Sequence, residues 1–518
     1  GTLRKQLEKK GHKFSSATDT EVIVHAYEEF GEDCVRHFNG QFAFCIYDKK
    51  QQKLFLARDR MGIKPLYYML EPFLFASELK ALLAAPQVRR KVDSVVLAHY
   101  LLLGFPARGA SIIRGIRKLE PGHTLTYDLR MKHSAVKCYW KPKVVASQSM
   151  DMPELKKEVL RRLEESIRLR LVSDRPLGAF LSGGLDSSLI VAIMSRHIRD
   201  LKTFSIGFEY ESFDESEYAE MVAKRFGTDH HRMMFSHKHI IDMLPHTMDH
   251  FDEPIADAST IPTYLLAQAA SKKVVVSLSG TGGDELFGGY KRYQHYQAAY
   301  RLRPLFPIFR WITRFWPDAD IRRKLLEIFG SREEHELYPT LFTHFDKQPF
   351  AEHRQKAFSG FRKYFRGRGA YDGMLFDESE YVPDNLMYKE DIDCMAHSLE
   401  GRFPFLDHTL VEFANTVPLR HKIRNHSGKI LLKSVAEDFL PKQLIYRKKQ
   451  SFSVPFNEYF RGALKGFTEQ HIFSALPFTY YDKNDIRRYW RLHQQGDDYT
   501  SLFLTILMFN LWQKRWLT

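Results

Sequence analysis

The residues with the clearest chemistry lie in LGAFLSGGLDSSLIVAIMSRH, residues 177–197. Residues 177–181 form a short apolar run of the kind that makes a buried strand. Ser182, Gly183 and Gly184 read as a tight turn, and Asp186, Ser187 and Ser188 open an apolar-periodic helix. Adjacent glycines let a backbone bend through positive φ and approach a ligand closely. A helix start aims unpaired N–H groups, and the positive end of its dipole, into such a turn. Together these parts make an anion site suited to phosphate. The plainer alternative is a serine-capped helix after a glycine turn. A second string, SGTGGDELFGGYKRY at residues 279–293, offers Gly280, Gly282 and Gly283 for close approach and carboxylates at Asp284 and Glu285. Carboxylates beside a phosphate chain repel it unless a divalent cation lies between them. Mg2+ is the usual hard cation with such ligands. The alternative here is a glycine turn ahead of an acid-started helix.

Strand and helix patterns alternate around both strings. Residues 154–171 read as an amphipathic helix, 202–208 as a strand, 215–226 and 261–271 as helices, and 273–278 as a buried strand. That alternation implies a parallel sheet with right-handed crossovers, whose ligand sits at the carboxyl ends of the strands. Leu181, Ile206 and Ser279 fall at expected strand ends and should converge. Residues 1 to about 140 differ. NGQFAFCIYD, KLFLARD, PLYYM and FLFASE alternate apolar and polar positions between turns, which suits an antiparallel sheet. Residues 20–30 read as a helix capped by Thr18 or Asp19. Residues 147–153 are polar and read as a linker.

The 518-residue length predicts two or three domains. Four widely spaced cysteines, Cys34, Cys45, Cys138 and Cys394, form no CxxC; the expectation is no zinc site, no disulfide framework and a reducing, cytoplasmic setting. The net charge of +14 comes without a nucleic-acid-binding module, so a basic enzyme of polyanionic substrates is preferred. The most apolar late run, residues 501–512, is too short to cross a bilayer, and no transmembrane segment is expected. Residues 300–368 interleave arginines with aromatics. A membrane-surface or anionic-polymer contact is one reading; a solvated helical face over an apolar core is the plainer one.

The Ser-Gly-Gly-Leu-Asp-Ser-Ser string resembles the pyrophosphate loop of ATP pyrophosphatases, which cleave ATP between its α and β phosphates and form adenylated intermediates. No Walker lysine accompanies it. TDTEVIVHAYEEFGEDCVRHFNGQFAFCIYD and the following LFLARDRMGIKPLYY resemble the later part of a class II glutamine amidotransferase domain, an N-terminal-nucleophile hydrolase. Asp19 matches the carboxylate that holds the glutamine amino group in that family; by itself it reads as a helix cap. The family's nucleophile is an N-terminal cysteine that uses its own amino group as base. The chain starts at Gly1, inside the domain, so the resemblance implies an N-terminally incomplete domain and ammonia as the nitrogen source of the chain as it stands. Cys34 and Cys45 read instead as small buried residues. MAHSLEGRFPFLD, GKILLKSVAEDFLP and YRKKQSFSVPF follow in the order found in asparagine synthetases.

The chain thus resembles the glutamine-dependent asparagine synthetases over nearly its whole length. The resemblance implies an incomplete α+β antiparallel domain of the N-terminal-nucleophile type, residues 1–146. A synthetase domain at 153–518 follows, an α/β fold with a parallel sheet of the ATP-pyrophosphatase type and a helical C-terminal part. It implies that ATP activates a carboxylate, aspartate in these enzymes, as an acyl-adenylate that ammonia from glutamine converts to an amide, releasing AMP and pyrophosphate. Leu181, Ile206 and Gly280 would hold adenosine, and Ser279 is a further ATP-binding residue. Ser182, Gly183, Gly184, Ser187 and Ser188 would cradle pyrophosphate, Asp186 and Asp284 would hold Mg2+, and Lys449 would meet charge at the α-phosphate. Alone, Lys449 reads as an exposed lysine of a basic loop. Glu400 and Arg402 are candidates for the acceptor pocket or for a structural ion pair. A homodimer is a further expectation. Two positions depart from the family pattern: Thr281 stands where these enzymes have a glutamate near the acyl centre, and Ile392 where many have arginine. A surface or envelope carboxylate as acceptor therefore stays open, as does a non-catalytic ATP-binding remnant.

Overall fold

The computed structural model describes residues 2–107, 109–144, 150–210, 213–317, 319–331, 333–341, 357–424, 427–448, 454–473 and 483–517. Gly1, residues 147–149 of the expected linker and Lys449 lie outside the described residues. The chain divides into two compact units. The first comprises Gly1–Arg89 and Gly115–Pro142; the second comprises Arg90–Arg114 and Lys143–Thr518.

In the first unit, β1 (Ala43–Asp48), β2 (Lys53–Arg58), β3 (Tyr67–Leu70), β4 (Phe73–Ala76), β5 (Ile116–Lys118), β6 (His123–Asp128) and β7 (His133–Cys138) build two antiparallel sheets, ordered β1-β2-β6-β7 and β4-β3-β5. The helix Asp19–Phe30 is capped by the Thr18 side chain, with Asp19 exposed in its first turn. Thr18 is therefore the cap, and the Asp19 carboxylate is left over. The Arg58-to-Pro65 string is a loop stitched by its own charges. The buried Asp59 carboxylate accepts the amides of Phe42, Met61, Ile63 and Lys64 at 2.9–3.2 Å. The Arg58 guanidinium donates to the carbonyls of Gly62, Lys64 and Leu119, each at 2.8 Å. Buried charges persist when each polar atom is satisfied in this way. Cys34 is buried as expected, Cys45 only half-buried.

In the second unit, β8 (Leu177–Phe180), β9 (Lys202–Phe208), β10 (Asp229–Phe235), β11 (Val276–Leu278) and β12 (Glu400–Arg402) form one parallel sheet ordered β10-β9-β8-β11-β12. From β8 the chain runs outward through β9 to β10, then returns to the other side of β8 for β11. The order reverses between β8 and β11, and crevices for ligands open at such switch points. Both glycine strings leave the sheet there. The helix Met152–Arg170 begins with a full capping box between Asp151 and Glu154 and buries Leu155, Val159, Leu163 and Ile167. That regular four-residue spacing is the core stripe of an amphipathic helix.

The structure differs from the sequence expectation in three places. The segment Arg90–Arg114 belongs to the second unit. Its helix Ser94–Leu103 is buried from Val96 onward, so it needs apolar neighbours on all sides. Gly104 and Ala256 pair through the backbone at 2.8 Å, the Glu253 carboxylate accepts the Ile112 amide at 2.9 Å, and Tyr100 donates to the Thr505 carbonyl at 2.8 Å. β10 was not expected. DHHRMMF buries only Phe235 because it is an edge strand, with no partner sheet to impose alternation. The helix Phe306–Thr313 packs Phe306 and Phe309 on the core as expected, but its other face is apolar rather than polar. Ile308, Trp311 and Ile312 are exposed.

Candidate active site

The site grows from the two loops at the switch point. After β8, Leu181 is held by its amide to the Phe204 carbonyl (2.8 Å), and the chain turns through Ser182, Gly183 and Gly184. Gly183 has φ 71°, and a Cβ there would lie 2.7 Å from the Ala219 amide nitrogen. Both constraints demand glycine. Hydroxyls knit the turn. Ser187 Oγ accepts from the Ser182 amide (3.2 Å), contacts Ser182 Oγ (3.1 Å) and donates to the Gly184 carbonyl (3.2 Å). The helix Leu185–Met194 starts at Gly184 with no side-chain cap. Its first amides thus remain donors for an anion.

After β11, Ser279 is tied by its amide to the Arg402 carbonyl (2.9 Å), and the loop brings Gly283 against Asp186. A Cβ on Gly283 would lie 2.6–2.9 Å from the Asp186 carboxyl atoms. Glycine is what lets the two loops close on each other. The result is an acidic pair, Asp186 and Asp284, from separate loops. Lys429 bridges them, with Nζ 2.5 Å from Asp186 Oδ2 and 2.7 Å from Asp284 Oδ1. Burial alone would push its ammonium down, but the two carboxylates outweigh that and hold it above its usual value. Two carboxylates that already require a cation between them suit a divalent ion, with phosphate oxygens completing its shell. The donor set fits Mg2+.

A cavity of about 340 Å3 opens between the loops, lined by Leu181, Ser182, Gly184, Asp186, Ser187, Ile206, Ser279, Gly280, Thr281 and Asp284 among others. The expected strand-end residues do converge, Ile206 from two positions inside the end of β9. Gly183 and Ser188 do not line the cavity. Gly183 is packed against the helix Ser216–Phe226, with its carbonyl accepting from Arg447 (3.1 Å), and Ser188 is fully buried. Glu400 and Arg402 pair with each other at 2.7 Å, and Arg402 also donates to the carbonyls of Arg170 (2.6 Å) and Val172 (2.8 Å). These two residues are not among those lining the cavity.

The far wall carries residues that sequence reading missed. An 11-residue π-helix, Asp377–Met387, runs into the helix Tyr388–Met395. Such stretches are rare and recur at functional sites. From them Tyr381, Leu386, Lys389 and Glu390 reach the cavity, facing Asp257 and Ser259. Lys389 Nζ donates to Ser259 Oγ (2.5 Å) and lies 3.8 Å from Asp257, which also accepts from Asn385 (3.1 Å). The Thr281 hydroxyl donates to the Glu390 carboxylate. Burial pushes the Glu390 carboxyl above its ordinary range, against the pull of Lys389 and of the Thr281 and Ser279 hydroxyls. Glu285 is likewise pushed up to about 7 by burial and by neighbouring Asp284, while Tyr290 donates to it at 2.5 Å. Lys429 had a local signal, in the Gly428–Lys429 start of a string already singled out, and Glu285 and Tyr290 lie in the singled-out string at residues 279–293.

A parallel sheet with a serine- and glycine-rich anion loop at its switch point, following an antiparallel unit in the chain, defines an ATP-pyrophosphatase-type α/β domain joined to an N-terminal-nucleophile-type domain. Comparison with known proteins agrees. Residues 158–514 match the asparagine synthase family and residues 1–140 match the glutamine amidotransferase domain. The chain belongs to the asparagine synthase family. It is 31% identical to asparagine synthetase (glutamine-hydrolyzing) 1 of Bacillus subtilis (strain 168), over 98% of this chain and 83% of the relative. It is 33% identical to asparagine synthetase (glutamine-hydrolyzing) 3 of the same organism, over 87% and 73%. It is also 25% identical, over 86% and 74%, to Amidase chry2 of Gibberella zeae (strain ATCC MYA-4620 / CBS 123657 / FGSC 9075 / NRRL 31084 / PH-1).

Proposed function

We propose that this chain is a carbon–nitrogen ligase that uses ATP to amidate a carboxylate, with aspartate as the acceptor and asparagine as the product. The observation that carries the reading is the Asp186–Asp284 pair, drawn by two glycine loops around one cation beside an open helix start. Leu181, Ile206, Ser279 and Gly280 would surround adenosine. The Ser182-to-Ser188 turn and helix start would hold the departing pyrophosphate. Mg2+ held by Asp186 and Asp284 would neutralise phosphate charge as the acceptor oxygen attacks the α-phosphorus and pyrophosphate leaves. Lys449, which lies outside the described residues, is assigned to the α-phosphate from its motif. Ammonia then attacks the acyl carbon, and AMP leaves with the oxygen that the carboxylate contributed. Adenylation is needed because a bare carboxylate would have to expel oxide. Asp19 would hold the glutamine amino group in the amidotransferase unit.

The acceptor end of the cavity favours a second reading. Thr281 replaces the glutamate of typical asparagine synthetases, and its hydroxyl is committed to Glu390. The pocket carboxylate therefore comes from another element, which would suit a different carboxylate, such as a cell-envelope or surface-polymer precursor. One experiment tests both readings. Purified protein is assayed for AMP and pyrophosphate with ammonium chloride or glutamine and a panel of carboxylates. Aspartate-dependent AMP supports the first reading, and AMP with another acceptor alone supports the second. Absence of ATP–pyrophosphate exchange with every acceptor would leave a nucleotide-binding remnant.

A further inference from the structure

The helix Phe306–Thr313 and the turn that follows it have two apolar sides. Phe306 and Thr313 are buried and Phe309 partly so; the rings of Phe306 and Phe309 pack on Phe329 at 5.2 and 5.3 Å. Those three positions anchor the helix. The opposite stripe is Ile308, Trp311, Ile312 and Phe315, at the i, i+3, i+4, i+7 spacing of one helix face. These side chains are 55, 61, 48 and 73% exposed. Leu305 and Trp316 extend the stripe at its two ends, also exposed. Single exposed apolar residues are ordinary, but a contiguous stripe that includes two tryptophans marks a contact surface.

Charge decides what covers it. Residues 291–317 contain no Asp or Glu but carry Lys291, Arg292, Arg301, Arg303, Arg310 and Arg314. Arg301, Arg310 and Arg314 are exposed, and no carboxylate of the described residues pairs with them. At 100° per residue, Arg310 and Arg314 fall on one flank between the anchored and exposed faces. A second copy docking stripe to stripe by two-fold symmetry would set like-charged flanks together, with no acid within residues 291–317 to answer the arginines. An anionic lipid surface answers both features. Its headgroups take the arginines, and its interfacial zone accepts tryptophan and phenylalanine. No described helix is long and apolar enough to cross a membrane, so the contact lies in the plane of the interface. We propose that the stripe from Leu305 to Trp316 docks this protein peripherally on an anionic phospholipid bilayer. The inference is independent of the acceptor assignment.

The test is flotation of the full chain with vesicles of phosphatidylcholine alone or mixed with phosphatidylglycerol, together with tryptophan emission. The expected result is co-flotation with the anionic vesicles, about tenfold weaker on neutral ones and at high salt, with a blue shift in emission. Trp311→Asp and Phe315→Asp should each abolish flotation, and the double variant Arg310→Gln/Arg314→Gln should weaken it several-fold. All of these positions are exposed, so the variants should melt as the parent does. Three results would overturn the proposal: no binding to anionic vesicles, binding indifferent to these substitutions, or self-association in sedimentation that Trp311→Asp abolishes while vesicles are ignored.

Discussion

At the residue scale the site is a problem in charge. Asp186, Asp284 and Lys429 are held in one small space, and removing Lys429 leaves the two carboxylates facing each other with no counter-charge. Lys429→Met is expected to destabilise the protein by roughly 3 kcal/mol, the cost of leaving buried charges without their partner. Added Mg2+ should raise the melting temperature of that variant more than that of the parent, which thermal melts with and without the ion will show. Asp186→Asn and Asp284→Asn should each abolish ATP–pyrophosphate exchange while far-ultraviolet circular dichroism stays unchanged. Unchanged exchange in both would remove the metal assignment. Lys449→Ala should lower kcat more than it weakens ATP binding, because a charge that meets a developing charge acts in the transition state. A loss confined to ATP affinity would make it an ordinary ground-state contact.

At the element scale, the short helix Gly283–Phe287 places Glu285 in the cavity wall. Its carboxyl is raised to about 7 in the folded chain, from an ordinary 4.5. The folded state therefore holds a proton that the unfolded state releases. That contribution to stability is present below about pH 4.5 and is lost as pH rises through about 7. Glu285→Gln should flatten the fall of melting temperature across this window; an unchanged slope would show that Glu285 does not titrate there. The helix Met152–Arg170 supplies a contrasting case. Asp151→Ala removes the side-chain arm of its capping box, leaving only the residue-151 amide donating to Glu154, and should cost ~1 kcal/mol without altering kcat, because neither Asp151 nor Glu154 lines the cavity.

At the scale of the whole molecule, the two units are not two consecutive stretches of chain. Residues 90–114 pack in the second unit and fasten Glu253 and Ala256, next to the cavity-lining Asp257. A fragment of residues 150–518 should therefore melt lower and aggregate more readily than one that begins near residue 90. It should also lose ATP–pyrophosphate exchange. Equal melting of the two fragments would show that the segment is dispensable.

Sequence alone determined the local chemistry. The 181–188 turn, the 279–285 turn and the strands before them were legible because strand, glycine turn and helix start are encoded by neighbouring residues. Backbone sterics and orphan amides act over a few positions. The antiparallel strands of the first unit were legible for the same reason, through their alternation. Tertiary structure decided which distant groups complete the site. Lys429 meets Asp186 across 243 residues, and Glu390 meets Thr281 across 109. No local pattern distinguishes a lysine that will bridge two carboxylates from one that will face water. Packing likewise decided that Glu400 and Arg402 pair with each other. It turned the Trp311 stripe outward too, since periodicity marks an apolar face and only the assembled core determines whether anything covers it.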